Sequence, residues 1–168
     1  PRADFKEKVL FKMRQYFGSD AKRIRHAERV LNYAEQIMQE EHGNRKVVIP
    51  AAILHDIGIK ECERKHQSTN GQLQEKEGPP IARRILAGLQ IQPEVIDEVC
   101  AIIASHHSPN EIDTLNFKII WDADWLVNLP DEYDLKAKSE TELGKLINKI
   151  FMTPTGKQIA GDLFLHKH

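Results

Sequence analysis

Four side chains carry the chemistry that this sequence suggests: His26, the adjacent pair His55-Asp56, and Asp124. Each stands where its neighbours mark an interior face. His26 precedes Val30 by one turn in a stretch whose apolar residues Ala27, Val30, Leu31, Ala34, Ile37 and Met38 recur at three and four. His55 and Asp56 close the apolar run VVIPAAILHDI, and Asp124 shares a stripe with Phe117, Ile120, Trp121 and Val127. A bare carboxylate there would cost on the order of several kcal/mol, a large part of a domain's whole stability, so it must be paired or bound to a cation. Imidazole nitrogen and carboxylate oxygen together suit a divalent metal ion, with manganese, iron, nickel, cobalt, magnesium and zinc all admissible.

The order and context of these residues resemble the HD-domain superfamily of metal-dependent phosphohydrolases. A lone His lies in a helix (RHAERV), a His-Asp doublet follows a small apolar helix (AAILHDIG), and a distant Asp sits in ADWL. The resemblance runs from about residue 20 to about residue 130, and three matched contexts are far more specific than an HD dipeptide. It implies a compact helical bundle with His26, His55, Asp56 and Asp124 as metal ligands, Asp56 bridging if two ions are held. It also implies that His55 and Asp56 serve catalysis, hydrolysing a phosphate ester through metal-activated water. The substrate so implied is a small phosphorylated molecule such as a nucleotide or a related metabolite. Two other readings use the same scaffold: a two-iron oxygenase, and a metal-dependent ligand-binding module without turnover.

Further candidates surround the four. His106-His107 is placed like the doublet that some branches add for a second or third ion, although an imidazolium at a helix C-terminus is the plainer reading. His66, and Glu75 or Glu77, lie where other branches supply an extra His or acid; solvent exposure explains His66 equally well. Asp122 is about 200° round the helix from Asp124, which puts it behind the ligands. Lys60, Arg64 and Lys65, with Arg23 or Arg25 beside His26, are candidates to grip substrate phosphates, against the bland reading of a wet cationic surface. Trp121 and Trp125 read as core aromatics, Trp125 also as a pocket wall. Branches that cleave cyclic dinucleotides carry Gly-Tyr-Pro and a Lys directly after HDIG; here stand Gly78-Pro79-Pro80 and Ile59, which argues against that activity.

To position these groups the chain offers about seven or eight helices and no clear strand, an all-α bundle. Helical spacing covers 4–17, ended by Gly18-Ser19-Asp20, and 20–41, ended by His42-Gly43-Asn44. A short buried helix over 46–57, with Pro50 in its first turn, carries His55 and Asp56; strand is the competing reading for Val47-Val48-Ile49. Polar residues 60–78 predict a mobile surface loop, a possible lid, before Pro79-Pro80 opens a helix to Leu86. Pro93 starts another that runs to His106-His107 and stops at Ser108-Pro109. Residues 114–129, 139–151 and 155–165 complete the set.

With 168 residues, 24 basic and 25 acidic, the chain fits a single domain, 1–168, whose net charge of -1 gives no reason to expect nucleic acid. Cys62 and Cys100 form no CxxC and no disulfide framework, and no run is long enough to span a membrane. A cytoplasmic location fits, no N-terminal signal being legible, and exposed helices could support a homodimer. His42, His166 and His168 read as solvent-facing.

Overall fold

Glycine, asparagine and aspartate punctuate the first third of the chain, and each sets a helix boundary. The computed structural model describes residues 2–165, so His166 and His168 lie outside the described residues. Helix α1 (Arg2–Phe17) stops at Gly18, whose φ of 61° is open to glycine at little cost. Asp20 then caps α2 (Ala21–Glu41) by accepting from Arg23 N, and α2 ends on His42 in the left-handed region. Asn44 caps α3 (Arg45–Leu54), in which every residue from Val47 to Leu54 is buried. No strand competes: α3 packs against α1, α2, α6 and α7, so its continuous apolar run reflects burial on all sides.

Two proline expectations need correction. Pro50 stands well inside α3, not in its first turn, so the Lys46 carbonyl lacks its usual helical donor. Pro79 and Pro80 likewise lie in the middle of α5 (Gly71–Gly88) and do not open it; Asn70 does, accepting from Gln72 N and Leu73 N. The predicted loop over 60–78 is mostly helical: α4 (Ile59–His66), a short connection, and the first half of α5. Hydrophobic periodicity is too sparse there to show it, since Cys62 is the one buried residue of α4 and α5 buries the polar Gln74 and Glu77.

Helix α6 (Pro93–Ser105) opens on Pro93 as expected, α7 (Leu115–Glu132) is capped by Thr114, and a 3-10 turn (Leu135–Ala137) leads to α8 (Glu140–Ile150) and α9 (Pro154–Phe164). The described residues thus contain nine α-helices and no strand, the all-helical bundle expected with α4 added. Their buried apolar side chains, from Val9 to Phe164, form one contiguous cluster. The turn after His55-Asp56 crosses α5 closely. A Cβ on Gly58 would stand 2.6 Å from Gly78 N and 2.8 Å from its Cα, so backbone meets backbone beside the His-Asp doublet.

Candidate metal centre

Three elements converge on one point. Helices α2 and α7 pack side by side, and α3 ends beneath them, bringing His26, Asp124 and the doublet together. His55 is the last, capping residue of α3 and Asp56 lies in the turn beyond it, slightly past the helix that was expected to carry both. His26 Nε2 is 3.1 Å from Asp124 Oδ1 and 3.2 Å from Asp56 Oδ2. His55 Nε2 is 3.3 Å from each of these same oxygens and 3.3 Å from His26 Nε2.

With both histidines neutral, the hydrogen-bond chemistry of this group leaves acceptors facing acceptors. His55 Nδ1 donates to the Ala52 carbonyl at 2.8 Å, and a carbonyl only accepts, so in the neutral ring Nε2 carries a lone pair. It then faces two carboxylate oxygens and a second imidazole nitrogen, all within about one van der Waals contact. Ligand atoms about 2.1 Å from a single ion lie roughly 3.0–3.4 Å apart, as these do. The residues therefore fit a divalent cation.

Protons are the alternative guests. Burial is the largest influence on His55 and opposes the imidazolium, but the Asp56 and Asp124 carboxylates overcome it and lift His55 well above the ordinary 6.5. His26 is raised in the same way, against its burial, by Asp124 and Asp56. Burial works to raise Asp56 and Asp124 too, yet the His55 charge and the histidine contacts hold both well below the usual carboxylate range.

Asp56 divides its two oxygens. Oδ2 faces His26 and His55, whereas Oδ1 lies 3.2 Å from His106 Nε2. His106 repeats the tautomer device of His55: Nδ1 donates to Ile103 O, three residues back, at 2.6 Å. One donor atom each from His26, His55 and Asp124, and one each from Asp56, His106 and His107, form two groups whose members lie within 4.8 Å of one another. His106 is buried, while His107 is exposed and its ring is held below the ordinary imidazole range by burial of its inner side and by the neighbouring His106.

The remaining candidates are placed differently. Glu77 accepts from Lys65 Nζ at 3.2 Å and from His66 Nε2 at 3.0 Å, so both its oxygens are held by α4. Glu75 accepts from His107 N and from Ser108 Oγ, each at 3.0 Å. Asp122, expected behind the ligands, is corrected: it is fully buried and anchors the start of α9, accepting from Met152 N and Thr153 N at 2.8 Å and from Thr153 Oγ1 at 2.6 Å. Burial outweighs those three donors and raises its pKa to about 6. Asn128, absent from the sequence reading, donates from Nδ2 to Asp124 Oδ1 at 3.0 Å. Its spacing of four from Asp124 on one helix was the available signal.

The expected phosphate-gripping cations are engaged elsewhere. Lys60 donates to the Tyr16 carbonyl at 3.1 Å and lies over the Tyr16 ring, facing α1. Arg64 is bound to Glu61, and Lys65 to Glu77. Arg23 bonds Asp20 at 3.0 Å and Glu63 at 2.8 Å. Arg25 is exposed on α2. Trp121 donates from Nε1 to the Ile150 carbonyl at 3.0 Å, and Trp125 sits between Trp121 and Tyr133, both half-buried.

The family model for the HD domain matches residues 23–129, a span that begins three residues before His26 and closes five after Asp124. The crystal structure of a predicted HD superfamily hydrolase from an uncultured Thermotogales bacterium is similar, with a TM-score of 0.67 and 25% identity over 93% of this chain and 83% of that one. Among curated proteins no match is found.

Proposed function

The chain belongs to the HD domain family, and from that premise we propose that it is a metal-dependent phosphohydrolase acting on a small phosphate ester, a nucleotide or a related metabolite. The carrying observation is that four lone-pair atoms from three separate elements meet at 3.1–3.3 Å with the His55 tautomer fixed from behind. His26, His55, Asp56 and Asp124 would hold one divalent ion, and Asp56 Oδ1 with His106 and His107 a second. Such an ion, when bound, supplies Lewis acidity that brings a water's pKa toward neutrality and offsets charge on the phosphoryl oxygens.

This chain's own groups do the rest. The Ala52 and Ile103 carbonyls hold the protons of His55 and His106 at Nδ1, so both Nε2 atoms stay turned inward. Asn128 holds Asp124 Oδ1 in register. Water oxygen attacks phosphorus as the ester P–O bond breaks, and a proton must reach the leaving oxygen. Arg23 and Lys65 are the candidates to take substrate phosphate, since each stays partly exposed within its ion pair, Arg23 with Glu63 and Lys65 with Glu77, and can exchange a carboxylate for a phosphate. Their removal should raise KM more than it lowers kcat; an unchanged KM in both variants removes that assignment.

The division of Asp56 between two histidine groups also favours a second reading, a two-iron centre that consumes dioxygen. Elemental analysis of protein purified without added metal or chelator, beside Asp124→Ala and His55→Ala, tests the shared premise. One or two equivalents present in wild type and lost in both variants are expected. Phosphate release from a nucleotide panel then supports the hydrolase, oxygen uptake the oxygenase, and ligand-induced thermal stabilisation without turnover a binding module. If metal-free wild type takes up none of manganese, iron, nickel, cobalt, magnesium or zinc, the four-ligand reading fails.

A further inference from the structure

Helix α6 ends too early for its sequence. Pro109 bars Ser108 from helical geometry, so the chain alone would carry the helix as far as His107. The structure stops it at Ser105. In a continued helix His107 N–H would donate to the Ile103 carbonyl, four residues back. That carbonyl instead receives His106 twice, its ring Nδ1–H at 2.6 Å and its backbone N–H at 3.5 Å, and His107 N–H turns away to Glu75 Oε2 at 3.0 Å. Glu75 Oε1 takes the Ser108 hydroxyl at 3.0 Å, so one carboxylate on α5 binds two consecutive residues of the turn.

A second observation on the same face of α5 agrees. One turn before Glu75, a Cβ on Gly71 would lie 2.8 Å from His107 Cγ, so the His107 ring rests directly on the glycine backbone. Gly71 makes room for the ring and Glu75 fixes the backbone that carries it.

We propose that Glu75 is a positioning residue: it sets where α6 ends, and through that turn presents His106 and His107 beside Asp56. The inference rests on the reading that Asp56, His106 and His107 hold a second ion. Glu75 itself touches neither substrate nor ion. Its Oε2 replaces the helical hydrogen bond His107 N–H gives up when His106 takes the Ile103 carbonyl, and Oε1 holds Ser108 beyond it.

Calorimetric titration of chelator-treated protein with manganese tests this. Wild type is expected to take up two ions, and Glu75→Ala to keep the first with unchanged affinity while the second weakens at least tenfold. Glu75→Gln should restore the second to within about threefold, because its amide oxygen can take the place of Oε2 in accepting from His107 N–H while its amide nitrogen donates to Ser108 Oγ. Ser108→Ala, which removes one of the two bonds and disturbs no core contact, should weaken the second ion alone and by less; it serves as the reporter if Glu75→Ala does not fold. Unchanged second-ion affinity in Glu75→Ala, or in Ser108→Ala where that is the reporter, overturns the inference, provided that His106→Ala loses the ion. If His106→Ala binds as wild type does, the two-ion reading itself fails and the positioning role with it.

Discussion

At the scale of single residues, the centre is a balance between protons and a cation over the same lone pairs. His26 and His55 are raised above 6.5 in the folded chain, so their contribution to stability is complete below 6.5 and is lost as pH rises through the folded values. Asp56 and Asp124 are depressed below 3.8, so theirs is complete above 3.8 and is lost as pH falls. Metal-free protein is therefore expected to lose thermal stability on the alkaline side, and manganese to abolish that loss by replacing the protons. Melting curves from mildly acidic to alkaline pH, with chelator and with manganese, check this; parallel curves would show that the histidines are not exchanging protons for metal. Asn128→Ala should weaken manganese binding about 10- to 100-fold without changing stoichiometry, because Asp124 Oδ1 loses its one side-chain donor outside the cluster. Calorimetry with unchanged affinity would make Asn128 a bystander.

At the scale of elements, two contacts decide whether the centre's walls hold. Asp122 ties α7 to the first turn of α9, and Gly156 leaves it room: a Cβ there would lie 2.2 Å from Asp122 Oδ2. Asp122→Ala strands two buried donors of Thr153 and the part-buried Met152 N–H and should cost about 3 kcal/mol, and Gly156→Ala about 1–3 kcal/mol, read in denaturant titrations. Asp122 carries a sign opposite to the other carboxylates. Its pKa is raised from 3.8 to about 6, so the unfolded chain releases the proton first, and stability falls by about 3 kcal/mol as pH rises across that window. That component should vanish in Asp122→Ala. Helix α4 makes a separate prediction: Cys62 N–H, which donates to the Gly58 carbonyl at 2.9 Å, should exchange slowly with solvent, whereas a loop would exchange at once.

At the scale of the whole molecule, one apolar cluster links α1 to α9, and the candidate ligands are drawn from the ends or faces of four helices within it. Ligation should therefore be felt globally. A divalent ion at a hundred times its Kd should add about 2.7 kcal/mol to a single cooperative unfolding transition. Two separated transitions, only one of them sensitive to the ion, would mean that the centre belongs to an independently folding part. Among the described residues no helix is long and apolar enough to cross a membrane.

The sequence by itself determined the helices whose apolar residues repeat at three and four, their stops at Gly18 and His42, the start at Pro93, and four chemically matched residues whose interior placement demanded a partner. These follow from local rules: periodicity, cap chemistry and the cost of buried charge. Tertiary structure alone decided the rest. The helix over 59–66 was hidden because its inward positions are few, and the prolines misled because burial of Val47–Leu54 on every side of α3, and of the Gly78, Ile81 and Ala82 face of α5, outweighs their lost hydrogen bonds. Asp122 and Asp124, two residues apart, could be given opposite sides of one helix but not their partners, which, Asn128 apart, come from residues 30 to 98 positions away. The division of Asp56 between two histidine groups depends on how α3 packs against α2 and α6, and the hold of Glu75 on His107 on the crossing of α5 and α6, where contacts distant in sequence fix directions that no local spacing encodes.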